Sequence, residues 1–303
     1  AAASFWPVVA VSLLAQELGN VAASFERIGR LLDETADVHD PAEPVAPPAG
    51  TGSICFDRVT FSYPGAATPA LRDVSFEVPA GSRVALVGHS GAGKSTCAAL
   101  LQRHFHPDAG RITIDGVDLR ALPTAAVAEL LGVVPQDTHL FRRSVGDNVR
   151  LADPDADSDA VDGALAAARA AVFVQALPDG RDTKLGELGT GLSGGQRQRI
   201  AIARALLADR PLALQDEAVS NLDSETERAI NDALMTSSEG RTTLLIAHRP
   251  STIRTADRII VLDHGAVAAD GPYDELIADP GGPLAQLLAH RSDPVPPDRD
   301  RRP

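Results

Sequence analysis

Apolar positions along the chain fall into three successive patterns. Residues 1–15, AAASFWPVVAVSLLA, are almost wholly apolar, and Leu14, Leu18, Val21, Phe25, Ile28 and Leu32 then recur at spacings of 4, 3, 4, 3 and 4. Alternating threes and fours keep one face of a 3.6-residue period, which predicts a single helix ending near Asp33. The second pattern is TADVHDPAEPVAPPAG, residues 35–50, whose four prolines predict a linker and a domain boundary near residue 50. From residue 51 the period becomes two. ICFDRVTFSY and VSFEVPAG alternate apolar with polar, as half-buried antiparallel strands do.

RVALVG (83–88) is a nearly continuous apolar run, the pattern of a strand buried on both faces. GRITIDGVDL alternates around Asp115-Gly116, a hairpin signal. LGVVPQ, PLALQDE, TTLLIAH and RIIVLDHG follow as further strands separated by alanine-rich helical stretches. That alternation implies a parallel sheet with helices packed on it, an α/β fold. Residues 291–303, RSDPVPPDRDRRP, lack apolar content and are expected to be a disordered tail. The expected organisation is a helix over 1–34, a linker over 35–50, a folded domain over 51–290 and the tail.

Composition adjusts this picture only a little. A chain of 303 residues, 44% hydrophobic and 23% charged, has ample material for a core. Its net charge of -13 argues against a nucleic-acid-binding surface. Cys55 and Cys97 form no C-x-x-C pattern and read as two reduced core thiols. The apolar start is shorter than the roughly 20 residues of a bilayer span, and no Met begins it. It reads as a fragment cut inside a longer hydrophobic helix.

The first chemistry-bearing motif is GHSGAGKST: Gly88, His89, Ser90, Gly91, Ala92, Gly93, Lys94, Ser95 and Thr96. It follows the buried run and precedes a helical stretch, the setting in which G-x-x-x-x-G-K-[ST] binds nucleotide phosphates. The glycines let backbone N–H groups curl around an anion, and the helix N-terminus adds positive charge. Lys94 is suited to reach the β- and γ-phosphates, and the Ser95 hydroxyl to ligate Mg²⁺.

LALQDEAVSNLD (212–223) begins as a buried strand and ends in acids, with Asp216 and Glu217 side by side where the apolar run stops. Neighbouring strand residues point to opposite faces, so both acids reach one site only where the strand twists at its end. Gln215 interrupts the run one residue early. Buried without partners its amide would cost roughly 1–3 kcal/mol, so it is expected to be hydrogen-bonded.

LSGGQRQRIAIARALL (Leu192–Leu207) opens a helix with Ser-Gly-Gly-Gln and carries Ile200, Ala203 and Leu207 on one face. Small residues ahead of a second helix make a second anion site. On these residues the chain resembles the ABC ATPase family, whose signature is LSGGQ, over roughly residues 52–290. The resemblance implies a P-loop NTPase fold of ABC type. Its parts would be a mixed-sheet core, an antiparallel β-subdomain and a helical subdomain carrying the signature.

ATP and Mg²⁺ are the ligands so implied, with a second nucleotide-binding domain as partner. Ser193, Gly194, Gly195 and Gln196 would cap the ATP held by the partner's phosphate loop. Tyr63, in FSYPG, is similar to the family's adenine-stacking aromatic, although locally it equally reads as a strand-end core residue. Gln136 would contact Mg²⁺ or water, and His248 resembles the histidine that hydrogen-bonds the γ-phosphate. Asp216 would hold Mg²⁺ through water, Glu217 would orient or deprotonate the attacking water, and Asp223 matches the acid of a loop crossing the dimer interface.

Two features are similar to exporter-type half-transporters with fused membrane domains: the segment Thr183–Gly189, and ASFERIGRLLDE followed by the proline-rich stretch. The implied function is an ATPase at the cytoplasmic face of the inner membrane, tied to its own transmembrane domain and driving translocation of an unspecified substrate. Export is the usual direction for this architecture, and homodimer and heterodimer both fit. The alternatives are a soluble ABC ATPase of DNA maintenance or translation, and an importer-type ABC ATPase. DPDADSDA lacks the glycine and glutamate of a calcium loop, and the histidines of HFH (104–106) have no further ligands at suitable spacing.

Overall fold

The computed structural model describes residues 5–33, 38–50, 52–216, 230, 234–235 and 240–292. The chain divides into two compact units, 1–39 and 40 onward. The first holds one helix, α1 (Phe5–Asp33), as the three-four spacing predicts. Pro7 is confined to its first turn, where no intrahelical N–H is lost. Leu14, Leu18, Val21, Phe25 and Ile28 are all exposed. Among the described residues no helix is long and apolar enough to cross a membrane.

The second unit begins with an antiparallel sheet of order β2-β1-β4-β5, formed by β1 (Ile54–Phe61), β2 (Leu71–Val78), β4 (Ala109–Ile114) and β5 (Val117–Asp118). In β1 the inward residues are Ile54 and Phe56, then Val59 and Phe61. The change of parity coincides with a register shift between Phe56 and Val59, where Arg58 has φ 48°. One extra residue at a bulge swaps the face of everything after it. Cys55, ahead of the bulge and between the inward Ile54 and Phe56, lies half-buried on the outer side of β1 rather than in the core, a correction to the sequence reading, whereas Cys97 is buried. Burial pushes the Cys97 thiol up to about 12. Asp115 and Gly116 turn β4 into β5 with φ 47° and 79°, the two left-handed residues of a tight hairpin.

The larger sheet runs β10-β9-β3-β8-β7-β6. Its strands are β3 (Arg83–Gly88), β6 (Leu131–Val134), β7 (Leu212–Asp216), β8 (Thr242–Ile246), β9 (Arg258–Asp263) and β10 (Ala266–Gly271). All neighbours are parallel except β9 and β10. Every residue of β3 is buried, because both faces of the sheet are covered. Val84 and Leu86 join the cluster around helix α2 (Lys94–Leu101) and the antiparallel sheet. Ala85 and Val87 instead meet Ile253 of α8 (Pro250–Ile253) and Leu284 and Leu287 of α9 (Pro283–Ser292).

Between β6 and β7 lie α4 (Val145–Arg150), α5 (Ser158–Ala167), α6 (Ala171–Gln175) and α7 (Gly194–Ala208). They pack around Val149, Val161, Leu165, Ile200 and Ile202 as a helical subdomain with its own core. Asp157, in the acidic loop, caps α5 by accepting from the Ala160 N–H at 2.8 Å.

The proline-rich stretch from Asp40 is fastened to this unit at three places. Asp40 Oδ1 accepts from Arg103 Nη1 at 3.2 Å, from the Thr124 N–H at 2.7 Å and from Thr124 Oγ1 at 3.0 Å. Thr124 opens helix α3 (Thr124–Leu130), and Arg103 follows the end of α2 with only 3% exposure. The Val45 N–H donates to the Ala121 carbonyl at 2.9 Å. Asp115 accepts from the N–H groups of Gly52 and Ser53 at 3.0 and 2.6 Å.

Candidate functional site

The phosphate loop is built by a strand that ends in the sheet centre and a helix that starts at once. Gly93 occupies the N-cap of α2 at φ 105°, and a Cβ there would stand 2.5 Å from Leu71 Cδ2. The Ala92 N–H donates to the His89 carbonyl at 3.1 Å, closing the loop. Lys94 is 6% exposed, and its Nζ donates to the carbonyls of Gly88 and His89 at 3.0 and 2.9 Å. The ammonium is thus held within the loop, beside the N-terminal end of α2, where an anion is favoured. Ser95 is exposed, and Thr96 is buried.

This loop forms one wall of a cleft of about 350 Å³, lined by Tyr63, Ala70, Ser90, Gly91, Gly93, Lys94, Ser95, Thr96, Gln136 and His248. Gln136 stands just beyond β6 and His248 just beyond β8, so both follow the carboxyl ends of strands parallel to β3, β8 its neighbour and β6 at the edge of the sheet. Ligands of open α/β sheets bind at that edge. Asp216 ends β7 at the same edge, half-buried and in register with Ile246 of β8. It does not itself line the cleft. Glu217 and Asp223 lie outside the described residues.

Tyr63 is 37% exposed, and its hydroxyl shares a 3.2 Å hydrogen bond with Thr96 Oγ1. Its ring meets Phe61 and Phe105 edge-on, with centroids 5.0 and 5.4 Å away. The aromatic is therefore braced from behind while it lines the cleft. Phe105 and Ala70 are the residues missed from sequence. The signal for Phe105 was the ring between the two histidines of HFH, a segment considered only for metal binding.

The signature residues stand elsewhere. Ser193 caps α7: its Oγ accepts from the Gln196 N–H at 3.2 Å, and Gln196 Oε1 accepts from the Ser193 N–H at 2.8 Å. This reciprocal box satisfies two donors of the helix start. Ser193 and Gly194 are exposed, Gly195 and Gln196 half-buried, and none of the four lines the cleft. Gln215 is hydrogen-bonded as expected, its Oε1 accepting from Arg83 Nη2 at 3.2 Å.

Comparison with known proteins gives the family of the chain. The family model described as ABC transporter matches residues 71–220. The ATP-dependent lipid A-core flippase of Chromobacterium violaceum is 42% identical over 283 residues, covering 93% of this chain and 48% of that protein. The Beta-(1-->2)glucan export ATP-binding/permease protein NdvA of Brucella suis biovar 1 is 45% identical over 266 residues, 88% of this chain and 44% of that protein. The chain thus spans about half the length of the curated relatives it matches. A solved structure of a bacterial Atm1-family ABC exporter with ATP bound superposes with a TM-score of 0.84 at 39% identity, over 96% of this chain and 51% of that one. By these matches the chain belongs to the ABC transporter family and carries its ATP-binding ATPase domain.

Proposed function

We propose that this domain powers a membrane exporter from the cytoplasmic face of the inner membrane. Two such domains close head to tail around two ATP molecules, and hydrolysis reopens them while the attached membrane domain translocates a substrate. The observation carrying this reading is that one chemistry is split between two places. The cleft holds Lys94, Ser95, Gln136 and His248, whereas Ser193–Gln196 open a separate helix outside it. A signature supplied by a second domain completes each site. The exporter names of the relatives, and their greater length, support the direction and the attached membrane part.

Ser95, Gln136 and Asp216 offer a hydroxyl, an amide carbonyl and a carboxylate, hard oxygen donors of the kind Mg²⁺ takes. A Mg²⁺ ion held by these groups would supply positive charge to offset the charge of the phosphates. Lys94 and the loop N–H groups position the phosphates, and Tyr63 stacks on the adenine. His248 donates to the γ-phosphate, and Ser193 with Gly194 and Gly195 of the partner domain covers it. Glu217 orients the attacking water and takes its proton, and Asp223 contributes from the interface loop. Charge developing on the transferred group is met by fixed donors, the largest contribution available to such a site.

Glu217→Gln is the direct test. The variant should bind ATP, accumulate as a closed dimer and lose about 10²–10⁴-fold in hydrolysis rate. Nucleotide binding, sedimentation and phosphate release measure the three properties. Turnover at the wild-type rate would remove Glu217 from its role.

A further inference from the structure

Arg83 and Gln215 form a buried polar pair on the face of the large sheet away from α2. Arg83 is 8% exposed and Gln215 3%. Among the described residues the Arg83 guanidinium bonds to Gln215 and not to a carboxylate, and its Nε has no hydrogen-bond partner. Asp257, the acid whose charge acts on it, accepts from the Arg83 backbone N–H at 2.8 Å instead. Burial pulls the guanidinium pKa down, partly opposed by Asp257. The side-chain bond described for this buried charge is the one from Nη2 to Gln215 Oε1.

The bond spans a strand. β8 lies between β3 and β7, and its Thr243 is in register with Arg83 on one side and with Ala213 on the other. Arg83 therefore reaches over Thr243, whose Oγ1 is also unpartnered, to touch a strand its own backbone never meets. One end of this tie starts the strand that delivers the phosphate loop. The other end is the residue immediately before Asp216.

We infer that the Arg83–Gln215 tie fixes the end of β7 against the phosphate-loop strand, making both of them positioning residues for Asp216, which would act on Mg²⁺. Neither touches nucleotide or metal: both side chains leave the sheet on the face opposite the Val84 and Leu86 cluster. The inference rests on the reading of Asp216 as the Mg²⁺ acid. A pair present only to satisfy its own burial would affect stability and nothing else, and that difference can be measured.

The probe is Mn²⁺ as a substitute for Mg²⁺, read by electron paramagnetic resonance with ATP present, on the wild-type chain and on Gln215→Leu, Gln215→Glu and Arg83→Met/Gln215→Leu. Thermal unfolding is recorded on each. Gln215→Leu should weaken Mn²⁺ binding about tenfold, the lower end for groups that orient metal ligands, with metal-free ATP affinity unchanged. Gln215→Glu keeps an acceptor for Arg83 and should retain wild-type Mn²⁺ affinity. The double variant buries no unpaired charge and should recover thermal stability but not Mn²⁺ affinity.

Mn²⁺ affinity within twofold of wild type in Gln215→Leu would overturn the inference, as would recovery of both properties in the double variant. Should Gln215→Leu fail to fold, the double variant decides alone, with wild-type Mn²⁺ affinity counting against the tie. An absent ATP-dependent Mn²⁺ signal in the wild type would instead remove the metal reading of the site, and this inference with it. The two failures appear in different samples.

Discussion

At Gly88 a Cβ would stand 2.3 Å from the carbonyl oxygen of Leu262 and 3.0 Å from Ala92 Cβ. The backbone of β9 cannot withdraw without breaking its ladder to β3, which pairs Gly88 with Leu262. Gly88→Ala should therefore cost about 1–3 kcal/mol, the range for forcing atoms into a filled interior. Chemical denaturation would measure the loss, and ATP affinity should fall with it because the same residue opens the phosphate loop. Requirements of this kind were legible in advance, since the loop is contiguous and each residue's task follows from its neighbours. The support behind Tyr63 was not legible, because Phe105 reaches it only after α2 has turned the chain back. Gln215 was legible as an anomaly needing a partner. That the partner is Arg83 depends on β8 inserting between two strands, which no local pattern states.

Among the elements, strands were the most readable, because alternation in β1 and β2 and continuous burial in β3 are direct consequences of which faces are covered. The bulge at Arg58 was invisible: it lets Val59 and Phe61 share the inner face with Ile54 and Phe56 without disturbing composition. The proline-rich stretch was readable as irregular, but its attachments were not, since Asp40 contacts residues far along the chain. Those attachments carry a pH signature. The Thr124 N–H, then the Thr124 hydroxyl and the Arg103 guanidinium, hold the Asp40 carboxyl below its ordinary value. A lowered folded-state pKa gives stability that is present above the unfolded value of about 3.9 and lost as pH falls through the folded one. Asp40→Asn should accordingly flatten the acid limb of the stability profile while leaving neutral-pH unfolding less affected. Denaturant midpoints between pH 2 and 6, roughly bracketing that range, would show it. An unchanged acid limb would mean that the attachment persists without its charge.

For the whole molecule, the proposed head-to-tail pairing would make the reaction depend on the concentration of protein. If each site takes half its residues from a partner, the specific ATPase rate should rise with chain concentration. Lys94→Ala spoils the phosphate loop, and Ser193→Arg spoils the signature, so each variant alone should be inactive. Mixed, they form dimers with one intact composite site, and part of the activity should return in a phosphate-release assay. No recovery, beside a wild type active at the lowest concentrations, would argue for a site complete within one chain. Sequence motifs pointed to this division because the phosphate loop and LSGGQ each announce an anion site. That the two are apart within one chain is a matter of tertiary placement.

The Asp40 attachment also has a consequence for how such proteins can be recombined. Arg103 has its guanidinium within the domain, bonded to Asp40 and to the Leu122 carbonyl. A chimera joined at residue 50, where composition suggests the border, would discard Asp40 and strip this interior cation of its carboxylate. A chimera joined upstream of Asp40 carries acid and base together. Chimeras between relatives should therefore fold most often with crossovers before this aspartate, so the unit to transfer starts inside what looks like spacer.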